Sequence, residues 1–84
     1  MSEKIKQDIS IGDNLRRLRK NAGLSQSEAA AALQLAGLPV SREILSQMER
    51  GRYNIRVSEL FAMKELYGVT SFDDFFEGVE GRTH

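Results

Sequence analysis

The sequence predicts an all-α domain of five short helices. Three observations carry that expectation. Apolar residues recur at helical spacing, capping residues stand where those stripes begin, and glycines stand where they end. No segment alternates in the manner of a half-buried strand. A chain of 84 residues has room for one domain, expected over residues 11–76. Residues 1–10 read as a flexible arm and residues 77–84 as a frayed tail.

The first helix is expected over residues 11–21, with Ile11, Leu15 and Leu18 on one apolar stripe. Arg16, Arg17, Arg19 and Lys20 lie towards its C-terminal end, where the macrodipole favours cations, and Gly23 supplies the stop. The second helix opens on a capping box, Ser25-Gln26-Ser27-Glu28, and continues through Ala29, Ala30, Ala31, Ala32 and Leu33 to about Leu35. Pro39 then pushes Leu38 towards an extended conformation. Ser41 caps a third helix that runs to about Arg50, with Leu45 and Met48 inward and Gly51 closing it. The fourth spans residues 57–67, where Leu60, Met63 and Tyr67 form the stripe, Phe61 and Leu66 flank it, and Gly68 is the cap. In the fifth, Ser71 is the cap, Asp73 and Asp74 sit in the first turn, and Phe75 and Phe76 follow.

Composition excludes several classes of function. Without cysteine there are no disulfides, no thiolate metal site and no cysteine nucleophile. The one histidine, His84, stands at the end of the sequence, and no glycine-rich phosphate loop is present. An enzyme is therefore not expected, nor a cofactor or a metal. No apolar run approaches the roughly 20 residues of a membrane span, and the first ten residues lack the apolar stretch of a secretory signal. A cytoplasmic protein with no membrane partner is expected. Net charge is zero, but it is unevenly spread. Residues 1–56 hold 10 Lys+Arg against 6 Asp+Glu, whereas residues 57–84 hold 2 against 6. A duplex responds to the field of the face that meets it, which points to the first part as the binding side.

Helices two and three, joined by a turn, describe a helix-turn-helix. The second of such a pair must rest on the first through small or aliphatic residues, here Ala30, Leu33, Leu45 and Met48. Its other face must offer polar groups, here Arg42, Glu43, Ser46 and Gln47. The amides behind Ser41, at a helix N-terminus, favour a phosphate. Two stretches, Leu24-Ser25-Gln26-Ser27-Glu28-Ala29-Ala30 and Val40 through Gly51, resemble the phage repressor/Cro-type (xenobiotic-response-element) helix-turn-helix family. The segment 68–76 is similar to that family's last helix, so the resemblance covers residues 11–76.

The resemblance implies a five-helix repressor-like domain that binds double-stranded DNA, as a homodimer on an inverted repeat. By position, Arg42, Glu43, Gln47 and Ser46 would face base edges. Gln26, Ser41, Arg50, Arg52, Tyr53 and Asn54 would hold phosphates. Arg19 and Glu49 would form a structural ion pair between helices one and three. Phe76, with Phe72 and Phe75, would supply the dimer contact. Three departures stand out. Residues 35–39 lengthen the turn. Ala29 replaces a larger aliphatic residue, so that Leu38 or Val40 would fill the space. Glu43, at a base-facing position, is acidic; it can accept from cytosine N4 but repels phosphate. The competing expectation is a protein-interaction module, an antitoxin or adaptor, using the same fold and its acidic C-terminal part to bind a protein partner.

Overall fold

The computed structural model describes residues 4–5 and 10–79. Its order is β1 (Lys4–Ile5), α1 (Gly12–Asn21), α2 (Gln26–Leu35), α3 (Arg42–Glu49), β2 (Ile55–Arg56), α4 (Val57–Tyr67) and a short 3-10 helix (Phe72–Phe76). The fold is helical. The helices enclose one core in which Leu15, Leu33, Val40, Leu45, Met48, Ile55, Met63 and Phe75 are fully buried.

Local chemistry sets the helix ends. The Ser25 hydroxyl accepts from the Glu28 amide and the Glu28 carboxylate accepts from the Ser25 amide, completing the box at the start of α2. Ser41 caps α3 through the Ile44 amide. At α4 the Glu59 carboxylate reaches back to the Arg56 amide, a cap the sequence reading missed. That helix stops at Gly68, whose φ of +67° is a left-handed conformation open mainly to glycine.

Between α2 and α3 lie residues 36–41. Gln34 Nε2 donates to the Val40 carbonyl across this connection. Val40 is fully buried in the cluster that contains Ala29, and Leu38 packs against that cluster. Leu35, at the end of α2, stands 90% exposed.

Three readings are corrected. The fifth helix is a 3-10 helix. In that geometry residues three apart eclipse, so Phe72 and Phe75 share a side, their ring centroids 6.1 Å apart. Short strands do occur: Lys4 pairs with Arg56 and Ile5 with Ile55, antiparallel. Two residues are too few for alternation to register in sequence, and the pairing removes Lys4 and Ile5 from the expected flexible arm. Residues 1–3 and 6–9 of that arm lie outside the described residues. Glu77–Val79 do not fray: Asn14 Nδ2 donates to the carbonyls of Phe75 (2.8 Å) and Glu77 (2.9 Å), and Val79 packs against the core. The rest of the expected tail, residues 80–84, lies outside the described residues. Phe61, which flanks the stripe of α4, is 55% exposed and lies edge-on to Phe72 at 4.9 Å.

Candidate nucleic-acid interface

Helical periodicity divides α3 into two faces. Leu45 and Met48 point into the core with no exposed surface. Arg42, Glu43, Ser46, Gln47 and Arg50 fall on the other side and together line one shallow concavity. A neighbouring hollow continues from it, where Arg42, Ser46, Glu49 and Arg50 are joined by Asp13 and Arg16 of α1, Gln26 of α2, and Arg52. Four guanidinium-bearing residues therefore border one surface contributed by three helices and the loop after α3.

A buried ion pair fixes this surface to the domain. Arg19 Nε donates to Glu49 Oε2 at 2.7 Å and Arg19 Nη2 to Glu49 Oε1 at 3.0 Å. The two side chains are 6% and 2% exposed. A bidentate guanidinium–carboxylate pair admits one relative orientation, so α1 and α3 are held in register. Arg19 Nη1 also donates to the Leu24 carbonyl at 2.7 Å. Hydrogen bonding to Glu49 holds the Arg19 pKa above its ordinary value, against burial, which acts the other way. The pair expected from sequence is thus where it was placed.

Gln26 extends the network into α2. Its Nε2 donates to Glu49 Oε1 at 3.0 Å, and its Oε1 accepts a long hydrogen bond, 3.4 Å, from Arg42 Nη1. Within the protein Gln26 thus spends one Nε2 hydrogen and its oxygen, and a second N–H remains for the phosphate expected of it. Ser41 accepts from the Ile44 amide as the cap of α3, and its own O–H can still donate. Arg42 keeps other N–H donors for a ligand, because a guanidinium carries five.

The remaining expected site residues divide. Arg50 and Arg52 join the α3 surface. Tyr53 and Asn54 do not. They line a separate groove with Pro39, Ile44, Arg56 and Glu59. Phe75 is fully buried within the chain and cannot serve as an interface residue without opening the core. Phe72 is half-buried with Lys64 Nζ 5.4 Å from its ring centroid, and Phe76 is 43% exposed. Sequence reasoning treated Arg16 as one basic residue among several and passed over Asp13. A signal was present: once Ile11, Leu15 and Leu18 fix the inner stripe of α1, Asp13 and Arg16, three apart, share an outer edge.

A three-helix unit that presents a polar, arginine-bordered α3 is the arrangement of a helix-turn-helix domain. The chain belongs to that family: the helix-turn-helix domain model matches residues 10–74. It is similar to the HTH-type transcriptional regulator DdrOP3 of Deinococcus deserti, 38% identical over 72 residues, which are 86% of this chain and 51% of that protein. It is also similar to the uncharacterized HTH-type transcriptional regulator y4dJ of Sinorhizobium fredii, 38% identical over 60 residues, 71% of each. The chain thus spans about half the length of the first of these relatives. No solved structure matches.

Proposed function

We propose that the protein is a sequence-specific, duplex-DNA-binding regulator of transcription. It acts by binding rather than catalysis, in the cytoplasm, as a repressor and as a homodimer on an inverted repeat. The observation that carries this reading is the exposed polar face of α3, held rigidly from behind by the Arg19–Glu49 pair. Both relatives are named as HTH-type transcriptional regulators, which supports its regulatory part.

In this reading α3 enters the major groove. Arg42 donates in a bidentate manner to guanine O6 and N7, Gln47 pairs with adenine, and Glu43 accepts from cytosine N4. Ser46 faces the same edges. Arg50, Arg52 and Arg16 hold phosphates, which position the protein without reading sequence. Gln26 orients Arg42 from the side. Two copies place their α3 helices about 34 Å apart, one turn of the duplex. The exposed Phe76, with the partly covered Phe72, forms the contact between copies. The same exposed aromatics in an acidic region also favour a second reading, in which that end docks another protein.

Selection of sites from a random duplex pool, followed by titration across salt, tests the proposal. Binding is expected to fall steeply with salt, by counterion release. Arg42→Ala is expected to cost about 1–3 kcal/mol of discrimination at one base pair and leave binding to random duplex nearly intact. Equal affinity for selected and random duplex at every salt concentration overturns the proposal in favour of the protein-docking reading.

A further inference from the structure

The first turn of α1 lies against the end of α3, and at Gly12 this contact leaves no room for a side chain. A Cβ at Gly12 would overlap the Glu49 carbonyl oxygen. It would also stand 2.7 Å from the Glu49 carbonyl carbon and 2.9 Å from the Gly51 amide nitrogen. These are backbone atoms with no rotamer to swing aside, and they belong to the two peptide groups that flank Arg50. Backbone conformation does not demand the glycine, since Gly12 is not among the residues of positive φ. Glycine inside a helix is in fact intrinsically unfavourable relative to alanine. Space is what remains. The seat is further fixed by the Gly12 amide, which donates to Ser10 Oγ at 3.0 Å.

The groups that depend on this seat are those of the DNA-facing surface. Arg50 lies between the two contacted peptides. Glu49 carries the carboxylate that holds Arg19 and Gln26, and Gln26 in turn contacts Arg42. We propose that Gly12 is a positioning residue for DNA recognition: its missing side chain lets α1 seat on the peptides around Arg50, and so sets how far α3 and the Arg50 guanidinium stand out from the domain. The inference rests on the DNA-binding reading above. Packed interiors transmit such displacements because they have little free space to absorb them.

The test uses the full chain, a duplex chosen by selection, a random duplex, and a temperature at which circular dichroism shows every variant folded. Gly12→Ala is expected to weaken operator binding about tenfold, the worth of one misplaced bidentate contact. Random-duplex binding should fall less, because it loses only the Arg50 phosphate contact, whereas on the operator the displaced α3 also loses base contacts, so the specificity ratio narrows. Ser10→Ala adds no atom and only frees the seat. It is expected to shift the ratio the same way by about two- to threefold, as for loss of one hydrogen bond, which keeps the proposal testable even where Gly12→Ala folds poorly. Val69→Ala, thinning the core after α4, should lower Tm and leave the ratio alone. In a double-mutant cycle with Arg50→Ala, the Gly12→Ala loss should be less than additive. Wild-type affinity and ratio in folded Gly12→Ala and Ser10→Ala, or strict additivity with Arg50→Ala, overturns the proposal. An unaltered protein that fails to separate operator from random duplex overturns the DNA reading itself, whatever Gly12→Ala does.

Discussion

The two ends of the chain handle polar and apolar surface in opposite ways. Across α1, α2 and α3, buried charge is fully answered. Arg19 and Glu49 satisfy each other, Leu24 and Gln26 take up further bonding capacity, and the outward face is polar. From α4 onward the balance shifts. The buried Glu59 carboxylate is still answered, by the Arg56 amide, but Phe61 and Phe76 stand out in solvent, and the Tyr67 hydroxyl is buried with no hydrogen-bond partner among the described residues. The first region is specified by directional bonds, which fix orientation. The second rests on apolar contact between its ends, where the Arg56 amide donates to Glu59 and Asn14 to the Phe75 and Glu77 carbonyls, and apolar contact fixes proximity more than orientation. A reading surface needs orientation, and the polar network lies beneath it.

The largest effect expected from this contrast is at Glu49. Glu49→Ala leaves the Arg19 guanidinium buried without its partner, a change expected to cost about 3–5 kcal/mol. Replacing both members with apolar residues of similar volume, Arg19→Met with Glu49→Leu, removes the uncompensated charge and is expected to be much less destabilising. Urea midpoints at constant m measure both. If the double variant is the less stable of the two, the pair does not govern this region in the way described.

An intermediate effect is expected where the regions meet. Asn14, on α1, holds the Phe75 and Glu77 carbonyls, and Arg17 contacts both Asn14 Oδ1 (3.2 Å) and Glu77 (3.3 Å). The Arg17–Glu77 pair is largely exposed and adds little. The Asn14 bonds reach a partly buried carbonyl, so Asn14→Ala is expected to cost about 1–2 kcal/mol. Amide exchange should accelerate at residues 76–79 and remain slow in α2 and α3, because locally held segments open on their own. Uniform acceleration along the chain instead would show that the two regions open as one.

Legibility in the sequence follows the same division. The caps of α2 and α3, the stops at Gly23, Gly51 and Gly68, and the inner stripes are local, and local spacing reveals them. The Arg19–Glu49 pair was placed by resemblance rather than by spacing, since thirty residues separate its members and no periodicity relates them. Three features stayed hidden because they depend on tertiary approach. Gln26 reaches Glu49 and Arg42 from α2. Gly12 belongs to no motif, whereas it is a contact surface. Phe61, beside a strong apolar stripe, stands 55% exposed while Leu60 and Met63 are buried. The groove that separates Tyr53 and Asn54 from the α3 surface is likewise a consequence of how the loop after α3 folds back, which no motif encodes.

The smallest effect is expected at Tyr67, where α4 faces the ion pair of the other region. Burial pushes the phenol pKa up, and the Glu49 charge adds to it, with Arg19 opposing. The hydroxyl has no hydrogen-bond partner among the described residues, so Tyr67→Phe removes a buried polar group without leaving another stranded. It is expected to be neutral or stabilising by about 1 kcal/mol at pH 7. The pH dependence has a definite sign. Below the ordinary tyrosine pKa of about 10 the phenol is protonated in both folded and unfolded chains, and it contributes nothing to the slope. Above it the unfolded chain releases the proton while the folded chain retains it, so stability falls as pH rises. Tyr67→Phe should therefore flatten the alkaline limb above about pH 10 relative to the parent. A lower Tm at pH 7 together with an unchanged alkaline limb would mean that the hydroxyl is satisfied in solution, and that the region from α4 onward depends on directional bonds beneath α4 as well as on apolar contact.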